Sequence, residues 1–179
     1  MKRSGFVGVV VGIVMGIVVA GGGSWAFGQQ KESDEFTSLD YAEILHLYSK
    51  YIQAVDGIWM DGKGEHYADA FTDDGIMQAG PQNAKTPLVG REKLIKMASR
   101  PQPGPFRHIV PNVQVHPTPG GAEAWAYIML LDMRQNPPTV VSHRATKDTL
   151  VKTAKGWRIK RRMNSSISTN TPFNVGWDD

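Results

Sequence analysis

Two phenols and a carboxylate share one short stretch of the chain: Tyr48, Tyr51 and Asp56, within FTSLDYAEILHLYSKYIQAVD (36–56). Apolar or aromatic residues fall at Tyr41, Ile44, Leu45, Tyr48, Tyr51, Ile52 and Val55, the spacing of one helical face. Both tyrosines therefore sit on the core-facing side, and Asp56 closes the helix beside them. Burying phenols and a carboxylate costs free energy unless they pair with each other, with water or with a ligand. That cost makes the helix a candidate wall of a binding site. A phenol can donate a hydrogen bond to a carbonyl oxygen as negative charge builds on it. A carboxylate can orient an imidazole, and an imidazole can take or give a proton near neutral pH. A Tyr, an Asp and a His around an apolar pocket thus suffice for proton transfer at carbon. Enolisation would be followed by loss of water or by reprotonation elsewhere.

The chain has five histidines. His46, His66 and His116 read as surface residues. His108 begins an alternating run, RHIVPNVQVHP (107–117), with His108, Val110 and Asn112 on one face and Arg107, Ile109 and Pro111 on the other. His143 either lines a cavity or lies on the outer face of its strand. Asp132 interrupts an apolar strand, where an ion pair with Arg134 or Arg144 weighs as much as a site role. Trp59, Met60, Met77, Met97, Phe106, Trp125, Met129 and Met133 supply large soft side chains, mostly for the core, with some shaping an apolar pocket. Tyr48, Trp59, Asp132 and His143 are taken as candidate substrate-binding residues.

Several other chemistries find no support. There is no HxH, no HExxH and no tight His/carboxylate cluster, and without cysteine there is no thiolate site, so no metal is expected. No Gly-rich phosphate loop follows a strand, so no nucleotide cofactor is expected either. Lys2 and Arg3 precede a charge-free run over residues 5–23, and Ala26-Phe27-Gly28 has small residues where a signal peptidase reads. Residues 1–28 are therefore expected to be a secretory signal peptide, with an uncleaved membrane anchor as the alternative. The expected location is exported, periplasmic or secreted. Without Lys2 and Arg3 the formal charge falls from +3 to +1. The basic balance is thus no sign of a nucleic-acid partner.

The elements that must position these groups follow in order. Residues 29–36 read as a flexible leader. Thr37 or Ser38 can cap the first helix, and Asp40 suits its positive end. A second helix is expected over 61–71, a turn at Thr72-Asp73-Asp74-Gly75, a short strand over 75–80, a loop over 80–88 and a third helix over 90–100. Alternation then predicts strands over 107–117, 122–134, 140–153 and 156–166. Pro111 inside the first of these implies an edge or a bulge. Residues 167–179 form a polar C-terminal tail, disordered or a flap. Segregated helices and strands predict an α+β fold, a curved antiparallel sheet around the first helix with a cavity between them.

Taken in order, LHLYSKYIQAVD, YADAFTDDGIM, LVGREKLIKM, RHIVPNVQVH and LVKTAKGWRIKRR resemble the SnoaL-like branch of the NTF2-like superfamily, from about Asp40 to Met163. The resemblance implies a cone-shaped α+β barrel over 37–166, with three N-terminal helices packed on a strongly curved, mostly antiparallel sheet. The superfamily includes scytalone dehydratase, bile-acid dehydratases, polyketide cyclases and ketosteroid isomerase. Its dehydratase-like members place a Tyr five residues before an Asp on the first helix and a His at the start of the first long strand. Those positions resemble Tyr51, Asp56 and His108 here, and a polar residue on the next strand would match Asp132. The resemblance also favours an inward His108 and, by analogy, a homodimer.

Two readings of function stand side by side. In one, the chain is a cofactor-independent dehydratase or isomerase for a small apolar or polycyclic carbonyl compound, with Tyr51 as hydrogen-bond donor, His108 as acid/base and Asp56 as its orienting carboxylate. In the other, the pocket binds a ligand or mediates association without chemistry. Helical geometry sets one condition, because five residues span about 500° and leave Tyr51 and Asp56 roughly 140° apart. They face one cavity only if Asp56 lies beyond the last regular turn, which Gly57 permits. Otherwise Asp56 ends the helix on the backbone near Gly57. IKRR (159–162) and TKDTLVKT (146–153) offer alternating surfaces for a dimer.

Overall fold

The computed structural model describes residues 35–57, 64–79, 86–99 and 104–166. The signal-like segment, Trp59, Met60 and the tail 167–179 lie outside the described residues. Element order is α1 (Ser38–Asp56), α2 (Glu65–Ala68), β1 (Phe71–Ala79), β2 (Leu88–Val89), α3 (Arg91–Ala98), β3 (Phe106–Ile109), β4 (Val113–Thr118), β5 (Gly121–Asp132), β6 (Thr139–Thr153) and β7 (Gly156–Ser166). The fold is α+β. Among the described residues no helix is long and apolar enough to cross a membrane.

Helix α1 is fixed at both ends by its own sequence. Thr37 Oγ1 accepts the Asp40 amide at 3.2 Å, and the Asp40 carboxylate accepts the Thr37 amide at 2.9 Å, a reciprocal capping box. At the other end Gly57 takes the left-handed conformation (φ 65°) and its N–H closes on the Gln53 carbonyl at 3.0 Å. The buried face carries Ile44, Leu47, Tyr48, Tyr51 and Ala54. Gly64, with φ +88°, is required at the start of α2, because a Cβ there would lie 2.3 Å from the Ile95 carbonyl oxygen of α3.

The sheet runs β2-β1-β7-β6-β5-β3, with β4 also paired to β5. All pairings are antiparallel except β1 with β7, which is parallel. Helix α1 touches β7 on one side and β3 and β4 at the far edge, so the sheet must curl around it. Along β5 the inward residues Ala122, Ala124 and Ala126 are buried in the core. Beyond them Ile128 and Leu130 enlarge the same face and line a cavity.

Three departures from simple alternation matter. The expected strand over 107–117 breaks into β3 and β4 around Val110-Pro111-Asn112, because proline cannot donate to the ladder. Strand β1 extends back to Phe71, and the expected turn at 72–75 survives as a loss of register: Phe71 pairs with Ile159 and the next partners are Ile76 and Arg161. In β7, Leu150 pairs with Ile159 but Thr149 with Arg161, leaving Lys160 as an extra residue. This bulge turns Arg162 inward. The residue is 2% exposed, and Asp148 across the ladder is 0% exposed. The two segments expected to offer dimer surfaces thus each contribute a buried charge.

Candidate active site

The last residue of α1 and the start of β3 meet in one hydrogen-bonded unit. Asp56 Oδ2 accepts the His108 backbone N–H at 2.9 Å, and Asp56 Oδ1 lies 2.6 Å from His108 Nδ1. The carboxylate side chain is 5% exposed and the imidazole 28%. A carboxylate accepts, so Nδ1 is the donor in this pair, and in the neutral imidazole Nε2 is then the nitrogen with the lone pair. The backbone bond fixes the strand and the ring bond fixes the tautomer. Asp56 is not itself part of the cavity wall, whereas His108 is. The 140° problem therefore dissolves. Asp56 remains helical and reaches the cavity only through the imidazole.

Tyr51 also lines the cavity. Its ring is 2% exposed, and its hydroxyl is buried with no hydrogen-bond partner. Desolvation pushes the phenol far above its ordinary range, although the Arg162 charge acts in the opposite sense. The guanidinium carbon of Arg162 stands 4.3 Å from the Tyr51 ring centroid. Tyr48 and Tyr67 pack edge-on against Tyr51, at 5.6 and 6.0 Å between centroids. The ring packing fixes the phenol, and Arg162, which can only donate, leaves its O–H free to donate.

Arg162 is anchored from behind. Its Nε and Nη2 bond to the two oxygens of Asp148 at 2.8 and 2.5 Å. Tyr48 donates its hydroxyl to the same carboxylate. Burial, the largest single influence, works against the guanidinium charge, but Asp148 together with Tyr51 and Tyr48 outweighs it and holds Arg162 ionised. Burial, reinforced by Asp148, likewise keeps Tyr48 neutral.

Between α1, α3 and the inner face of the sheet lies a cavity of about 220 Å³. Its apolar lining includes Ile52, Val55, Met97, Phe106, Ile128 and Leu130, and its polar lining includes Ser142, Arg144 and Asn164. A dry cavity of about 150 Å³ holds benzene. The space here suits a one- or two-ring compound. Among the described residues no three His, Cys, Asp or Glu side chains converge to hold a metal ion.

A SnoaL-like domain profile matches residues 37–163. The chain belongs to the SnoaL-like domain family. No curated protein sequence matches it. Among solved structures it is similar to an NTF2-like protein with a cystatin-like fold from Novosphingobium aromaticivorans, with a TM-score of 0.64 and 18% identity over 74% of this chain and 85% of that one. A protein from Catenulispora acidiphila in complex with S-DNPA is similar at TM-score 0.60 and 26% identity, over 73% and 95% of the two chains. ActVI-ORFA from Streptomyces coelicolor is similar at TM-score 0.59 and 24% identity, over 73% and 98%.

Within this SnoaL-like domain the other expected residues fall elsewhere. Tyr48 lies behind the cavity, its hydroxyl committed to Asp148 rather than to the rim. Asp132 is held by Arg134, at 2.9 and 3.2 Å through Nε and 2.7 Å through Nη2, so the strand-end ion pair is what forms. Those bonds lower the Asp132 carboxyl below its usual range. His143 faces outward, its ring 5.4 Å from Tyr127, because Ser142 and Arg144 take the inward positions of β6. Trp125 and Met133 are each 45% exposed, while Met77, Met97 and Phe106 do line the cavity. Sequence reasoning missed Asp148, Arg162, Ser142, Arg144 and Asn164. Alternation from Leu150 back through Asp148, Thr146 and Arg144 to Ser142 carried the signal for β6. The Lys160 bulge hid it in β7.

Proposed function

We propose that this protein is a cofactor-independent dehydratase or isomerase acting on a small apolar carbonyl compound. The observation that carries the reading is the Asp56–His108 pair set into the wall of an apolar cavity, beside a buried phenol without a partner. His108 Nε2 would remove a proton from the carbon next to the substrate carbonyl. Asp56 would stabilise the imidazolium that forms. Tyr51 would donate to the carbonyl oxygen as the enolate develops. In a β-hydroxy ketone the enolate then expels hydroxide, which leaves as water with the proton from His108. In an unsaturated ketone the same proton returns at a more distant carbon and the double bond moves.

The test is a thermal-shift screen against one- and two-ring hydroxy ketones and aromatic polyketides, followed by turnover of the hits. Loss of water that falls by about 10²–10⁴-fold in His108→Ala is the expected result. Equal turnover by wild type and His108→Ala removes His108 from the mechanism.

The second reading is ligand binding without turnover. The Catenulispora relative with a bound small molecule favours it as much as it favours catalysis. It would stand if hits bind and none is converted. We further propose export, from residues 1–28, and a homodimer. The exposed Trp125, Val140 and Val141 give the outer face of the sheet an apolar surface for the second copy.

A further inference from the structure

We infer that the ligand of this cavity carries a carboxylate, and that Arg144 receives it. The inference rests on the proposed site and names the class of compound that fills it.

The cavity has two unlike walls. Helix α1 and strand β5 supply aliphatic side chains, among them Ile52, Val55, Ile128 and Leu130. Strands β6 and β7 supply Ser142, Arg144 and Asn164. These three side chains make no hydrogen bond or ion pair with any described residue. Tyr51, fully buried in the same lining, also has a hydroxyl without a partner. A concentration of polar side chains without protein partners on one side of an otherwise apolar hollow favours a ligand with a polar group there.

The charges narrow the choice. The other formal charges around the cavity, the Arg162 guanidinium and the Asp56 and Asp148 carboxylates, are already committed. Both oxygens of Asp56 serve His108, and both oxygens of Asp148 serve Arg162. Arg144 has no such partner. Its cross-strand neighbours are Ile128 on β5, which offers nothing polar, and Ser166 on β7, which carries no charge to pair with it. It remains exposed, at the mouth of the cavity. A guanidinium presents a planar fork of N–H donors that matches a carboxylate in two parallel bonds. One unpaired arginine, with neutral Ser142 and Asn164 as its polar companions in the lining, fits a monoanion better than a phosphate. The ligand is therefore a one- or two-ring body lying against the aliphatic wall, with a carboxylate at the mouth. Its carbonyl end then points inward to Tyr51 and His108.

The experiment is calorimetric titration of the intact protein with 2-naphthylacetate and with its uncharged analogue 2-naphthylacetamide. The acid is expected to bind about tenfold tighter at low salt, and high salt is expected to narrow the gap. Arg144→Gln should abolish the preference and Arg144→Lys retain part of it. Arg144 is exposed and forms no ion pair with a described residue, so both variants should keep the wild-type melting temperature. Failure of the acid to bind, equal binding of acid and amide, or an undiminished preference in Arg144→Gln would each overturn the inference. No turnover is required. A protein that prefers the acid yet converts nothing refutes the catalytic reading alone, and one that converts neutral ketones without preferring the acid refutes this inference alone.

Discussion

Helix α1 buries an aspartate at each end, and the two are used in opposite ways. Asp40 sits at the positive end of the helix dipole, where a carboxylate is favoured. It caps the helix through Thr37 and also accepts Trp157 Nε1 at 2.9 Å and Lys152 Nζ at 2.8 Å. The Lys152 contact, the largest influence, helps hold its carboxyl far below the usual range. Asp56 sits at the negative end, where a carboxylate is disfavoured by about 0.3–1 kcal/mol. Its side-chain bonds go to a single residue, His108, whose ring opens onto a cavity. One acid ties helix to sheet with the dipole in its favour and its burial offset by Lys152 and Thr37. The other sits against the dipole and holds an imidazole at a cavity wall. Equal burial of the same residue type thus says little about role, while position along the dipole and the identity of the partner say much.

Substitutions at the two ends should separate these roles. The largest effect is expected from Asp56→Asn, which keeps an acceptor for the His108 amide but lets the ring adopt the wrong tautomer. Turnover should fall by about 10³-fold, roughly 4 kcal/mol of barrier, while denaturant unfolding shifts by only about 1 kcal/mol. Asp40→Ala should do the reverse. Loss of the cap and an orphaned Trp157 N–H should cost about 3 kcal/mol in urea melts, with turnover per folded molecule unchanged. Comparable losses of stability at both ends would break the comparison.

Smaller effects sharpen it. Tyr51→Phe should lower turnover by about 10²-fold, yet raise stability by roughly 1 kcal/mol because a buried unpaired hydroxyl is removed. Acid titration of wild type against Asp40→Asn should then isolate the Asp40 share of the acid limb, to which Asp132 and Asp74 also contribute. The folded Asp40 carboxyl lies below the ordinary value of 3.8, so its stabilisation is present above that pH and is lost as pH falls below it. Asp40→Asn should flatten the acid limb by that share in pH-dependent thermal melts. At the alkaline end, Tyr48 and Tyr51 are both raised above 10.0, so stability should decline once pH exceeds that value, and less steeply in Tyr51→Phe.

Much of this arrangement is legible in the sequence. The helical spacing of Ile44, Tyr48 and Tyr51, the Thr37/Asp40 start and the Gly57 stop each act locally, so α1 emerges within a residue or two of its true limits. Strands β5, β6 and β7 alternate strongly enough to be placed. What stayed hidden depends on register. The bulge at Lys160 reverses the face of Arg162 relative to Ile159, and no local signal marks it. The parallel pairing of β1 with β7 joins distant segments, and the pairing of Asp132 with Arg134 rather than Arg144 depends on which face each residue takes. The Tyr51, Asp56 and His108 set came from family resemblance. The structure adds that Asp56 stands behind His108, outside the cavity wall, so helical angles do not separate the two.

The most direct measurement of the central claim needs no substrate. Nitrogen-15 NMR of the side chain of His108 reports which ring nitrogen carries hydrogen in the neutral imidazole. The expected pattern is a protonated Nδ1 and a bare Nε2, changing to mixed tautomers in Asp56→Asn. A hydrogen on Nε2 in the wild-type protein, or tautomers already mixed there, would contradict the assignment of His108 as an oriented base.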